Sequence, residues 1–200
     1  MAPMRLTHGF LGTELHQEEF ATAAGIAEEV PAMSPTPKGS IRRLRQASFR
    51  WRFPERTLHV VDIENLVGTG VPTLALVADV QGRYLARLDL GVCDQVVMAA
   101  SHRGLLDAAC GWPHARYRVR SGKDGADLEL LDVLEHENVA ARFSHVVIGS
   151  GDGIFGRTAA GLAACGVRIT VVSRRGSLNP GLARVAGDVI YLDAPLAAAA

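Results

Sequence analysis

Three aspartates in this sequence are spaced so that their carboxylates could meet at one place. Asp62 falls at the end of the apolar run Leu58–Ile63, Asp152 follows the run His145–Gly149, and Asp127 lies in the first turn of a predicted helix. Carboxylate oxygens are the ligands that hard cations such as Mg²⁺ and Mn²⁺ prefer. A cation held in this way can activate water and stabilise phosphoryl oxygens, which is the chemistry of phosphodiester hydrolysis.

The elements that must position these aspartates begin at Thr57, where short apolar runs start to alternate with helical segments. The predicted strands are Leu58–Ile63, Asp94–Ala100, Ala115–Arg120, 144–149, Val167–Ser173 and Asp188–Leu192. The predicted helices open near Pro72 and then cover Arg103–Cys110, Asp124–Glu137, Phe155–Cys165 and 179–186. This alternation predicts an α/β three-layer sandwich around a central, mostly parallel sheet of five to six strands, with right-handed crossovers.

Such a sheet would bring the three carboxylates to one edge, because open α/β sheets bind ligands at the carboxyl ends of their strands. Asp62 lies at the end of the first predicted strand and Asp152 at the end of the fourth. On a helical wheel, Asp127 lies in the middle of the apolar stripe that contains Leu130 and Leu134, where an unpaired charge is not normally placed. Each aspartate alone is also explained as a helix cap or a turn residue. Turn chemistry does not, however, require three of them at one sheet edge.

Three short motifs lie in this frame: Asp62–Leu66 after the first strand, Lys123–Leu128 before the third helix, and Ser150–Phe155 after the fourth strand. With these motifs, the segment from about Thr57 to Asp193 resembles the NYN domain, a branch of the PIN-like nucleases. The resemblance implies a PIN-like, Rossmannoid sandwich. It also implies a metal-dependent endoribonuclease that acts on single-stranded or structured RNA.

The resemblance also implies roles for single residues. Asp62, Asp127 and Asp152 would be the catalytic acids and would hold Mg²⁺ or Mn²⁺, with Asp124 as an accessory ligand. A second group would contact the substrate. Asn65 would position the first-strand loop or a phosphate, Ser150 would help to hold the attacking water or the scissile phosphate, and Lys123 would lie beside them.

One departure from the family pattern affects the metal. The family usually has a second acid two residues after the aspartate of the third motif, and this sequence has Ile154 there. Losing a carboxylate lowers the negative charge of the site and should weaken a second metal ion. Three acids can still bind one ion, so a slow nuclease and a module that binds RNA without cutting it both stay open.

His102 is a further candidate substrate contact because it follows the second predicted strand and so lies at the same sheet edge. A histidine in a loop is more often simply solvated. We keep both interpretations of His102.

The N-terminal part of the chain is strongly polarised in charge. Residues 1–37 contain one arginine and five glutamates, and residues 38–56 contain seven basic residues and one acidic residue. Arg42, Arg43 and Arg45 are therefore predicted to contact the phosphates of RNA, with neighbouring aromatic residues stacking on bases. Alternatively, the apolar residues of this segment pack on the domain and leave the arginine heads in water.

Length and composition set the remaining bounds. The 200 residues divide into an acidic, partly helical or disordered extension (1–37), a basic arm (38–56), the NYN-like domain (57–193) and a short tail (194–200). No apolar run approaches the roughly 20 residues of a membrane span, and we see no signal peptide. The three cysteines show no disulfide framework, which predicts a reducing, cytoplasmic location. A homo-oligomer is compatible with these features.

Two rival functions remain. The spacing Gly151-x-Gly153-x-x-Gly156, with Arg174 and Arg175 after the next strand, also matches an NADP-binding loop. Against it, the motif opens the fourth strand–helix unit instead of the first, and Asp152 inside the loop would repel a pyrophosphate. The other rival is a non-catalytic RNA-binding module that uses residues 41–56.

Overall fold

The computed structural model describes residues 55–195. Six strands form one sheet in the order β3-β2-β1-β4-β5-β6, and every neighbouring pair is parallel. The strands are β1 (Thr57–Asp62), β2 (Gln95–Ala100), β3 (Arg116–Val119), β4 (His145–Gly149), β5 (Arg168–Ser173) and β6 (Asp188–Tyr191). The predicted α/β sandwich with a central parallel sheet is confirmed.

Seven helices connect the strands within the described residues: α1 (Ile63–Val67), α2 (Leu74–Leu85), α3 (Leu105–Gly111), α4 (Gly125–His136), α5 (Val139–Arg142), α6 (Gly156–Ala164) and α7 (Pro180–Val185). Two 3₁₀ turns, Gly153–Phe155 and Arg175–Ser177, follow β4 and β5. None of the helices in this part of the chain is both long and apolar enough to cross a membrane.

The two faces of the sheet carry separate cores because side chains alternate along each strand. Leu58 and Val60 face a core built with helices α4 to α7, whereas Val61 faces a core built with α1, α2 and α3. The strands read as nearly continuous apolar runs because both faces are covered. The sheet is therefore the middle layer of three.

The observed elements follow the predicted ones closely, with two additions. The sequence predicts a loop after Asp62, and the structure has the short helix α1 there. The Asp62 side chain accepts a hydrogen bond from the Asn65 backbone N–H, and the helix ends at Gly68, whose φ of 85° is left-handed. Helix α5 is the second addition. Both helices are too short to show a periodic apolar pattern.

The edge strand β3 and the residue after it carry three arginines that lie close to acids of the neighbouring helix α4 and its C-terminal end. Arg116 pairs with Glu137 at 2.8 Å, and Arg118 pairs with both Glu129 and Asp132 at 2.8 Å. Arg120 lies 4.0 Å from Glu129. These acids lie on or just after α4. The arginines of β3 are thus engaged with the adjoining helix, which explains them without a contact to RNA.

Candidate functional site

The strand order places a crevice between β1 and β4. Strands β2 and β3 are added on one side of β1, and strands β5 and β6 are added on the opposite side of the sheet, beyond β4. Ligands of open α/β sheets bind at such a reversal, outside the carboxyl ends of the strands. At this point Asp62 ends β1 and Asn65 lies in the helix that follows it, and Ser150 and Gly151 follow β4.

Alternation along the strands also selects one face for the acids. Asp62 continues the series of Leu58 and Val60, whose side chains face α4, and Asp127 lies in the first turn of α4. Both aspartates are buried, with 5% of Asp62 and 9% of Asp127 exposed. The predicted burial of Asp127 in the apolar stripe is therefore confirmed.

Backbone amides and hydroxyls fix the orientation of Asp62. Its Oδ1 accepts from the Asn65 N–H at 3.1 Å, and its Oδ2 accepts from Ser150 Oγ at 3.4 Å. Ser150 Oγ in turn accepts from the Asp152 N–H at 3.2 Å, and Asn65 Oδ1 accepts from the Gly151 N–H at 3.0 Å. The loops after β1 and β4 are thus joined by polar contacts that hold the acid in place.

The two buried carboxyls affect each other's charge. Burial raises the pKa of Asp127 to about 7, and the negative charges of Asp62, Asp152 and Asp124 contribute to that rise. Burial also raises the pKa of Asp62, although hydrogen bonds from the Asn65 N–H and the Ser150 hydroxyl oppose that rise. Two carboxylates this close disfavour each other's ionisation unless a positive charge joins them.

Asp127 has an oxygen that the protein leaves without a partner. Its Oδ1 is buried and accepts no hydrogen bond from any described residue. An ionised oxygen in that state is costly, and a hard cation would satisfy it. The donor set of the site, with carboxylate oxygens and no thiol or imidazole, fits Mg²⁺ or Mn²⁺.

Asp152 and Asp124 complete the acidic cluster less tightly. Asp152 is exposed, and its Oδ1 accepts from the Ile154 N–H at 2.9 Å. Asp124 precedes α4 with a left-handed φ of 55° and makes no capping hydrogen bond. Among residues 55–195, no three histidine, cysteine, aspartate or glutamate side chains already stand close enough to hold a metal ion. The site therefore consists of a tight pair, Asp62 and Asp127, with two looser acids beside it.

The other predicted contacts are more dispersed. His102 is exposed and its Nδ1 lies 2.8 Å from Ser121 Oγ, which ties it to the segment after β3. Lys123 is exposed and makes no hydrogen bond or ion pair with another described residue. Arg42, Arg43 and Arg45 lie outside the residues that the structure describes.

Two residues near the acids are not predicted as part of the site from the sequence. Glu64 Oε1 accepts from the Ser101 N–H at 2.8 Å and so joins the ends of β1 and β2. Arg174 follows β5, and its Nε donates to the Asn65 carbonyl at 3.0 Å. The sequence signal that could have identified them is their position directly after strands, because the carboxyl ends of parallel strands meet at one edge of the sheet.

The glycine-rich loop after β4 is filled by protein. A Cβ at Gly151 would overlap the carbonyl oxygen of Ser177 and lie 2.6 Å from Ser173 Oγ, and one at Gly153 would lie 2.6 Å from the Asn179 amide nitrogen. In dinucleotide-binding loops, glycines let the backbone approach a pyrophosphate. Here they let it approach the segment before α7, which weighs against a dinucleotide at this loop.

Comparison with known proteins adds little about function. No protein-family model matches the chain, and no curated protein matches it significantly. One similar solved structure is the crystal structure of a protein of unknown function from Vibrio parahaemolyticus RIMD 2210633. It is 16% identical, the match covers 70% of this chain and 93% of that chain, and the TM-score is 0.48.

Proposed function

We propose that this protein is a divalent-metal-dependent endoribonuclease of the PIN-like type. The observation that carries the proposal is the buried Asp127 carboxylate, which lies beside Asp62 at the β1–β4 crevice with one oxygen unpartnered. Buried acids with strongly raised pKa values cluster at functional sites, and this pair therefore supports a ligand site here. The resemblance of the three acidic motifs to the NYN domain supplies the substrate class, RNA.

In this proposal, Asp62, Asp127 and Asp152 hold Mg²⁺ or Mn²⁺, and Asp124 assists them. When bound, the ion supplies a Lewis acid that activates water and offsets the charge of the phosphodiester. To join the buried pair as a ligand, the exposed Asp152 side chain would exchange its bond to the Ile154 N–H for the ion.

Two neutral residues next to the acids hold them in position. Ser150 holds Asp62 through its hydroxyl, and Asn65 connects the β1 loop to Gly151. The side-chain nitrogen of Asn65 is left to contact a phosphate oxygen. Lys123 and His102 would contact the RNA strand at the outer side of the site.

Cleavage of a mixed pool of single-stranded and structured RNA tests the proposal. Wild type should cut in Mn²⁺, EDTA should stop it, and Asp127→Asn and Asp152→Asn should each lower the rate about a hundredfold, at least as much as losing an outer-shell partner. Asp89→Asn is the matched control, because Asp89 is exposed and makes no hydrogen bond or ion pair with the described residues. Equal cutting by all four proteins would indicate a contaminant and remove the support for this site.

A catalytically weak module that binds RNA is the second candidate, and Ile154 favours it. Ile154 packs against the core on the α4 face and offers no ligand atom. This alternative predicts RNA binding that survives Asp152→Asn unchanged, with no product at any Mn²⁺ concentration.

We also propose a cytoplasmic location. Cys93, Cys110 and Cys165 are all exposed free thiols, which suits a reducing compartment. Trapping the thiols in intact cells would test this, because oxidised cysteines would contradict it.

A further inference from the structure

We propose that Arg174 binds a phosphate of the RNA strand on the α1 side of the sheet edge that carries the acidic cluster. This inference deepens the proposed function and rests on it for the identity of the ligand. The observation behind it is a fixed guanidinium at the carboxyl edge of the sheet whose two terminal nitrogens make no hydrogen bond or ion pair with the described residues.

The first step is the anchoring of the side chain. Arg174 is half-buried, and its Nε donates to the Asn65 carbonyl at 3.0 Å. The guanidinium lies against Gly68, where a Cβ would come within 2.5 Å of Nη1 and 2.8 Å of Cζ. Gly68 has a left-handed φ of 85°, so the absence of a side chain there serves both the turn and the arginine.

The second step is the charge of the guanidinium. Within residues 55–195, no carboxylate lies within 4.0 Å of Arg174. Two acids share a cavity of about 110 Å³ with it, but both are engaged elsewhere. Asp79 pairs with Arg83 at 2.9 Å, and Asp193 accepts the Arg175 N–H at 3.1 and 3.2 Å.

The third step is the link to the acids. The Asn65 carbonyl accepts a hydrogen bond from Arg174, and the Asn65 N–H donates one to Asp62. The side-chain oxygen of Asn65 accepts a third from the Gly151 N–H. One residue therefore joins the guanidinium to the buried carboxylate. Arg174 faces the α1 side of the sheet, whereas Asp62 and Asp127 face α4, so the arginine would hold a phosphate that flanks the scissile one.

Chemistry favours a phosphate as the ligand. A group of carboxylates repels a polyanion, and a fixed positive charge at their border offsets that repulsion. Arginine presents a planar fork that binds two phosphate oxygens at once, which lysine does not.

Binding of a fluorescein-labelled, mixed-sequence single-stranded RNA to the full chain in EDTA, over a range of salt, tests the inference. Arg174→Gln should weaken binding about tenfold and lower the slope of log K against log salt by about 0.7. Arg174→Lys should keep the slope and recover part of the affinity. Arg175→Gln is the matched control, because Arg175 stacks on Tyr191 at 4.8 Å.

Thermal unfolding and cleavage in Mn²⁺ separate the remaining outcomes. Equal loss of Tm in both Arg174 variants with an unchanged salt slope would show a purely structural role and overturn the inference, as would a wild type that binds no RNA. A higher KM for RNA cleavage by Arg174→Gln, with kcat nearly unchanged, would support the inference. If the binding pattern holds but wild type cuts nothing, the inference stands and the nuclease proposal falls. If Arg174→Gln cleaves RNA with an unaffected KM and binds it with an unaffected slope, the nuclease proposal stands and the inference falls.

Discussion

At the scale of single residues, the buried Asp127 carboxyl lowers the free energy of unfolding by an amount that depends on pH. Its pKa is about 7 in the folded chain and near 4 in an unfolded one. Between these values the folded state binds more protons than the unfolded state, so the stability of the metal-free protein falls as the pH rises from about 4 to about 7. Above that range the loss is complete.

Asp127→Asn should therefore stabilise the metal-free protein at pH 8. We expect a gain on the order of 1–2 kcal/mol, well below the full linkage value because solvent screens part of the repulsion. The gain should shrink as the pH falls toward 4. Thermal unfolding in EDTA at several pH values measures it, and Asp89→Asn should show no such trend.

Adding Mn²⁺ should reverse the order of stability. Wild type should gain in Tm because the ion binds only the folded state, whereas Asp127→Asn should gain little. If wild type and variant respond equally to Mn²⁺, the ion does not bind at Asp127.

Ile154 offers a second test at this scale. Ile154→Asp introduces an acid two residues after Asp152, where NYN domains usually have one, and Ile154→Asn supplies the same shape without the charge. We expect both variants to lose about 1 kcal/mol of stability, because Ile154 packs against the core. Only Ile154→Asp should tighten Mn²⁺ binding, measured by calorimetry. Tighter binding in both variants, or in neither, would show that charge at position 154 is irrelevant to the metal.

At the scale of elements, the loop after β4 and the 3₁₀ turn after β5 are packed backbone to backbone at Gly151. A Cβ there would meet the Ser177 carbonyl oxygen, which cannot move as a side chain could. Gly151→Ala should cost about 3 kcal/mol, the upper part of the range for overpacking, or prevent folding altogether.

Gly161 gives the matched substitution in α6. It is exposed, and a Cβ at that position meets nothing within 4 Å. Gly161→Ala should stabilise the helix by about 0.5–1 kcal/mol, which raises Tm by about 1–4 °C in a chain of this size. Chemical unfolding of the Gly151→Ala and Gly161→Ala variants measures both changes in the free energy of unfolding. A stable Gly151→Ala protein would show that the two segments can separate.

The same scale shows what the sequence could and could not predict. The strands and longer helices were predictable because burial on both faces makes most residues of β1 and β4 apolar, and because the angular position of Asp127 on α4 depends only on local helix geometry. Helix α1 has five residues and too little periodicity to detect. The contact of Arg174 with Asn65 joins positions 109 residues apart, so nothing local in the sequence could indicate it.

Asp62 shows a further limit of prediction. The sequence leaves it two competing roles, the cap of a turn and a metal ligand, and the structure shows that it caps the helix α1. It caps α1 through Oδ1 and lies beside Asp127 within the acidic cluster. A cap does not exclude a ligand, because a carboxylate oxygen has more than one lone pair.

At the scale of the whole molecule, the charges are balanced overall and separated along the chain. The formal net charge is +0, yet residues 38–56 carry seven basic residues against one acidic residue. The sheet edge that holds the acidic cluster would repel RNA without help. A basic segment elsewhere in the chain would raise the affinity by neutralising phosphates, and this contribution should weaken as salt increases.

Replacing Arg42, Arg43 and Arg45 together by glutamine in the full chain tests that contribution. If each arginine neutralises one phosphate of single-stranded RNA, the slope of log K against log salt should fall by about 2. Replacing all three by lysine should leave the slope unchanged, because only the charge sets it. An unchanged slope in the glutamine variant, together with a lower Tm, would show that the segment packs through its apolar residues instead. RNA affinity would then depend on the sheet edge alone, and Arg174 would become the leading source of its salt dependence.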